Sequence, residues 1–315
     1  MKYKIIVNPT SGRGVGATVK PVIEQLLIKY GLDFDITLTE HPWHAADLAE
    51  QAVEDGYNIV VAVGGDGTAN EVLNGLMRAK KNRGNSATMS ILSIGRGNDF
   101  AYGMNIPKGL EAGCQVLVQG YRHLVDIGIV TGGLYPQGRY FGNGVGIGFD
   151  AVVGFVAAKM KRLSGFPSYI VAALKTIFLY YKPPLVQIDF NGKTLTQLSL
   201  MVSIMNGRRL GGGFFTAPRA ETDDGFFDLC IAGQVSRPRI FPLILLFMKG
   251  TQETHPAIQM ERTQNISVTA LKGVIPAHAD GETLCVEGQK LVLKIVPKEI
   301  EIICQPPQQQ LERVP

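Results

Sequence analysis

Cysteine is scarce in this chain: four residues in 315, Cys114, Cys230, Cys285 and Cys304, lie far apart and form no Cys-x-x-Cys pair. That spacing argues against a zinc site or a disulfide framework and fits a reducing compartment. Long apolar runs are missing too. A bilayer span needs ~18–20 uninterrupted apolar residues, and the oiliest segments, residues 169–181 and 240–248, fall short. The opening MKYKIIVNP is too quickly interrupted to read as a signal peptide. The expectation is a cytoplasmic protein, soluble or peripherally associated with a membrane. Two nucleotide signatures are also lacking. There is no Gly-x-x-x-x-Gly-Lys-Ser/Thr, which excludes a P-loop ATPase, and no Gly-x-Gly-x-x-Gly after the first strand, which disfavours a dinucleotide dehydrogenase. Charge is modest, with a formal net of +4. This suits an anionic substrate or membrane surface without selecting either, and no nucleic-acid partner is expected.

What is present in excess is glycine, 37 residues, roughly 12% against a usual ~7%, and it clusters in particular loops. With 45% hydrophobic and 18% charged residues, the chain belongs with folded proteins, and its length suggests two domains. Residues 1–125 alternate strand and helix. Strands are expected at 4–7, 34–39, 59–63 and 90–94, and helices from about 19 to 30, 45 to 55 and 69 to 79. This βαβ rhythm predicts a Rossmann-like three-layer domain with a parallel sheet. Beyond residue 125 short glycine-punctuated strands dominate, at 126–130, 139–144, 186–190, 198–205, 225–232, 265–270 and 291–295. Helices are expected at 151–163 and 168–181. The second domain, 126–297, is thus β-rich and β-sandwich-like, and residues 298–315 are candidates to rejoin the first. Residues 306–315 read as a loose Gln- and Pro-rich tail.

Glycine loops follow Val7, Val63 and Ile94. In a parallel sheet all three fall on the carboxyl edge, where ligands bind. Glycines let backbone N–H groups approach a phosphate, and each following helix adds partial positive charge. Asp66 and Asp99 sit inside two of these loops. Carboxylates beside phosphates call for a divalent cation, and phosphoryl transfer uses Mg²⁺. The plain alternative is that both aspartates cap helices.

The string GGDGT at residues 64–68, with NPTSGRG at 8–14 and GRGNDFA at 95–101, resembles the diacylglycerol kinase catalytic family. That family includes bacterial lipid kinases and the sphingosine and ceramide kinases. NGVGIGFDA at 143–151, NGRRLGGG at 206–213, DDGFFD at 223–228 and DGE at 280–282 follow in the family's order. The resemblance implies an ATP site built from Asn8, Ser11, Gly12 and Arg13, from Gly64, Gly65, Gly67 and Thr68, and from Gly95, Arg96, Gly97 and Asn98. It implies that Asp66 and Asp99 help hold catalytic Mg²⁺, with Glu282 as general base on the acceptor hydroxyl. Asp126 takes the place of an interdomain Asp. A second, structural Mg²⁺ would take the Asp224 carboxylate and the backbone carbonyls of Glu221 and Phe226. Relatives carry threonine where this chain has Arg96, so a guanidinium stands where a hydroxyl is usual.

The expected activity is an ATP-dependent lipid kinase acting on diacylglycerol or a related lipid. The alternatives are an NAD kinase-like enzyme, since those also carry GGDGT, and a non-catalytic lipid- or nucleotide-binding relative. NAD kinases lack the first and third loops found here. Residues 168–181 and 237–249 are apolar enough to be core or lipid-facing. A homodimer is a further possible assembly.

Overall fold

In the structure, a computed structural model, residues 1–160, 166–179 and 183–306 are described. The chain divides into two compact units, Met1–Val125 joined by the chain from Lys298 on, and Asp126–Pro297.

The first unit runs β1 (Lys2–Val7), α1 (Ser11–Lys29), β2 (Asp33–Leu38), α2 (His44–Glu54), β3 (Ile59–Gly64), α3 (Asp66–Arg83), β4 (Thr88–Ser93), α4 (Asp99–Gly103) and α5 (Leu110–Gln119). The strands are parallel in the order β2-β1-β3-β4, with Val7 level with Leu38 and Val63. Side chains alternate faces along a strand. Tyr3, Ile5 and Val7 with Ile59, Val61 and Val63 therefore pack under Val19, Ile23 and Leu27 of α1 and Val116 and Leu117 of α5. The opposite face belongs to α2 and α3, which pack on each other. Every residue of β3 is buried, which explains its β-branched composition without a polar face.

The helix expected from residue 19 begins earlier, at Ser11, because Gly12, Arg13 and Gly14 form a left-handed stretch (φ 60°, 63° and 92°) that leads into it. Periodicity starts only after that stretch, so the sequence pattern shows the regular part alone.

The second unit contains β5 (Arg122–Gly132), β6 (Tyr135–Phe141), β7 (Gly144–Gly148), α6 (Phe149–Ala158), α7 (Phe166–Leu179), β8 (Leu185–Phe190), β9 (Lys193–Met205), β10 (Phe227–Gly233), α8 (Arg237–Lys249), β11 (Ile258–Thr263), β12 (Asn265–Lys272), β13 (Ile275–Ala279), β14 (Glu282–Gly288) and β15 (Lys290–Ile303). The chain crosses between the units within β5 and within β15. The long β9 serves two neighbourhoods. Its first half pairs antiparallel with β8, and its second half with β7 and β10. Phe141, Ile147, Ile188, Ile204, Phe227 and Leu293 share one core. Past the boundary β15 returns to the first unit, where Ile302 lies beside Met89 of β4.

Three expectations change. Residues 139–144 are not one strand: β6 stops at Phe141 and β7 starts at Gly144, because a distant carboxylate takes the intervening N–H groups (below). Residues 237–249, read as either core or lipid-facing, are neither wholly buried nor wholly exposed: they form a helix with Ile240, Leu243 and Phe247 inward and Phe241 and Leu245 exposed. The helix at 151–163 ends at Ala158, and positions 161–163, 180–181 and the tail from 307 lie outside the described residues. Among the described residues no helix is long and apolar enough to cross a membrane. All four cysteines are buried and free of disulfides.

Candidate active site

The carboxyl ends of β1, β3 and β4 share one edge of the first unit, and their loops are tied backbone to backbone. The Asn8 N–H donates to the Val63 carbonyl at 3.0 Å, and the Ile94 N–H to the Gly64 carbonyl at 2.9 Å. Asn8 Nδ2 donates to Thr68 Oγ1 at 3.0 Å, while its Oδ1 accepts from the Thr10 N–H at 3.0 Å and hydroxyl at 2.8 Å. Ser11 Oγ lies 3.3 Å from Thr68 Oγ1. Asn8, Ser11 and Thr68 thus form one polar cluster over the first turn of α3.

The glycines make this approach possible. A Cβ on Gly95 would stand 2.4 Å from the Gly65 Cα, and one on Gly12 2.5 Å from the Ile94 carbonyl oxygen. No side chain fits at those distances, so all three loops require glycine to close on one another. The left-handed backbone of residues 12–14 before a helix is a turn of the kind that cradles anions. Arg13 and Arg96 are both exposed on these loops.

The caps of α3 and α4 are Gly65 and Asn98, with Asp66 and Asp99 as the first helical residues, so neither aspartate is a cap. Asp66 Oδ1 accepts the Phe100 N–H at 2.9 Å, which joins the second and third loops. A Cβ on Gly97 would lie 2.9 Å from Asp66 Oδ2 and 3.3 Å from Asp99 Oδ2. Asn98 Oδ1, on the Gly95 side of the loop, is buried with no hydrogen-bond partner. The two carboxylates that converge on Gly97 are hard-oxygen donors of the kind that suits Mg²⁺.

In the second unit Asp280 is buried, with φ 47°. Its Oδ2 accepts from the Gly142 N–H at 2.8 Å and its Oδ1 from the N–H groups of Asn143 and Gly144 at 2.9 and 3.0 Å. This grip breaks the strand at 142–143 and fixes the turn that presents Glu282. Glu282 is half-exposed, with Oε2 3.9 Å from the buried Arg139 guanidinium. Neither Asp280's grip on residues 142–144 nor the burial of Arg139 is visible in the sequence. The Gly-Asn-Gly at 142–144 was the available signal that the strand breaks.

Asp126 is buried and supports the 222–225 turn. Its Oδ2 accepts the Gly225 N–H at 2.6 Å and its N–H donates to the Thr222 carbonyl at 2.6 Å. Asp224 Oδ1 accepts the Phe226 N–H at 2.9 Å, and Oδ2 is ion-paired to Arg262. Nearby Asp228 Oδ2 is buried without a hydrogen-bond partner. Desolvation, with Asp224 and Glu221 adding repulsion against the pull of Arg262, raises the Asp228 carboxyl to about 6. The set Asp224, Glu221 and Phe226 therefore fits a cation only with Arg262 displaced, since the guanidinium fills that electrostatic role.

Asp150, in the same unit, accepts from Ser203 Oγ at 3.0 Å and the Ala151 N–H at 2.8 Å, and burial pushes its carboxyl up to about 7. A Cβ on Gly146 would meet both Asp150 Oδ2 and His278 Nε2, and burial lowers His278 to about 4. A cavity of about 700 Å³ opens beside α6 and α7, lined by Phe149, Phe155, Met160 and Leu200 with Lys159 and Lys175. Thr176 also lines it, and its buried hydroxyl has no hydrogen-bond partner.

Residues 2–130 match the diacylglycerol kinase catalytic domain, and residues 143–304 the YegS C-terminal NAD kinase beta sandwich-like domain. The chain is 27% identical over 282 residues to a diacylglycerol kinase of Staphylococcus saprophyticus, covering 89% of this chain and 88% of that one. A diacylglycerol kinase of Staphylococcus aureus strain Newman is likewise 27% identical, covering 89% and 86%. Among solved structures, a diacylglycerol kinase from Bacillus anthracis superposes with a TM-score of 0.72 at 19% identity, covering 97% of each chain. A second structure from that organism reaches 0.77 at 22%, with the same coverage. These structures share the fold: a parallel α/β domain followed by a β-rich, sandwich-like one. The protein is a member of the bacterial lipid kinase family that joins a diacylglycerol kinase catalytic domain to a YegS-type C-terminal domain.

Proposed function

We propose that the protein transfers the γ-phosphoryl group of ATP to the hydroxyl of a lipid, diacylglycerol or a close relative. The observation that carries this is the convergence of Asp66 and Asp99 on Gly97, inside three glycine loops that close on one another. The loops and the start of α3 bind the phosphates through backbone N–H groups and the Asn8–Ser11–Thr68 cluster. Asp66 and Asp99 would hold Mg²⁺, which when bound neutralises charge on the phosphates. Exposed Arg13 and Arg96 add positive charge at the same loops. Glu282 accepts the hydroxyl proton as the new P–O bond forms and the bond to ADP breaks.

A lipid acceptor is favoured by the apolar cavity beside α6 and α7. Peripheral membrane contact is favoured by α8. Its exposed face carries Arg237, Phe241, Leu245 and Lys249 at four-residue spacing, with Arg239 alongside and no acidic residue in the helix. An interfacial helix has this pattern of apolar side chains between cations.

The test is incubation with labelled ATP, Mg²⁺ and a mixed lipid extract, with identification of the labelled product. Glu282→Gln is expected to lower turnover by roughly 10²–10⁴-fold with ATP binding unchanged. Normal turnover in that variant removes Glu282 as the base.

A further inference from the structure

Arg139 carries a charge in a place where charge is rarely left: its side chain is only 2% exposed. Burying a guanidinium is unfavourable unless it is paired and oriented. Tyr135, four positions earlier on β6, supplies the orientation. Arg139 Nη1 donates to the Tyr135 hydroxyl, and the guanidinium stands 4.8 Å from the centre of the Tyr135 ring. The other arm, Nη2, lies 3.9 Å from Glu282 Oε2. One carboxylate oxygen of Glu282 thus faces a buried, fixed cation while the side chain stays 43% open to solvent.

We propose that Arg139, anchored by Tyr135, is a positioning residue for Glu282, holding Oε2 so that Oε1 is presented to the acceptor hydroxyl. This rests on the assignment of Glu282 as proton acceptor. Two neighbouring ionisable groups of the hairpin do other work. Asp280 is engaged by the N–H groups of residues 142–144. His278 is kept neutral by burial, and its Nδ1 accepts the Gly281 N–H at 3.4 Å. Arg139 is therefore the cation whose removal acts on Glu282.

The experiment measures kcat and the KM for ATP with diacylglycerol in mixed micelles, for wild type, Arg139→Met, Tyr135→Phe, Glu282→Gln and the double variant R139M/E282Q. For Arg139→Met the expected result is a fall in kcat of about tenfold with an unchanged KM for ATP. Tyr135→Phe keeps the ring and removes only the hydroxyl, so it lowers kcat by less. It carries the test if the methionine variant does not fold. A folded variant of either kind with wild-type kcat overturns the proposal. So does a further loss when Arg139→Met is added to Glu282→Gln, since Arg139 would then act without Glu282. Full turnover in Glu282→Gln alone instead overturns the assignment of the base, and the two failures are told apart.

Discussion

Asp66 and Asp99 begin successive helices on two different loops, yet their Oδ2 atoms flank the same glycine, Gly97, at 2.9 and 3.3 Å from the position of its missing Cβ. Packing does not require this convergence of like charges, whereas holding a cation does. Asp66→Asn keeps an oxygen for the Phe100 N–H, so the melting temperature is expected to stay near that of wild type. Activity should fall at least about 10²-fold. Near-normal turnover at saturating Mg²⁺ and ATP removes Asp66 from the site.

Arg262 occupies the Asp224 carboxylate, so a second cation has to compete with it. Without nucleotide, Mg²⁺ is expected to raise the melting temperature of Arg262→Ala more than that of wild type, and not to raise that of Asp224→Asn. Equal responses in wild type and both variants contradict a cation at this turn.

Burial gives Asp150 a carboxyl pKa of about 7, against ~3.9 in an unfolded chain. Between those values the native state keeps a proton that the unfolded state has released. The group's contribution is full below the lower value and is lost as pH rises through the higher one. His278 runs the other way: its pKa falls to about 4, so its contribution is present above ~6.5 and lost as pH falls toward 4. Asp150→Asn removes only the first effect. Its melting temperature relative to wild type is expected to rise by several degrees between pH 5 and pH 8. A difference that does not change with pH contradicts a protonated Asp150.

The exposed stripe of α8 predicts binding to anionic vesicles. Phe241→Ser with Leu245→Ser should cut co-sedimentation with phosphatidylglycerol vesicles several-fold while leaving the fold stable, because Ile240, Leu243 and Phe247 make the inward face. Equal binding by the variant shows that α8 is not the contact.

The three glycine loops were legible in the sequence because their chemistry is local. Gly64–Gly65 and Gly95 announce a close approach, and the apolar β3 announces a doubly buried strand. What stayed hidden depends on residues far apart in sequence. Asp280 breaks the strand at 142–143 from 137 residues away, and nothing in that stretch alone reveals its acceptor. Arg139 reads as an ordinary surface arginine in a strand until β14 brings Glu282 beside it. The α8 helix was obscured by Pro238 and Pro242. The first is tolerated at the helix start, where its missing N–H would be unpaired anyway, and the second lies on the exposed side.

Phosphoryl transfer from ATP to a lipid is measured most directly by following the label from ATP into the organic phase. With diacylglycerol micelles, Mg²⁺ and NAD in the same vessel, γ-labelled ATP should place label in chloroform-soluble phosphatidate. α-Labelled ATP should leave that phase blank, and the NAD should remain unlabelled. Label that stays in water for diacylglycerol and for a total lipid extract alike, or that appears on NAD, contradicts the account.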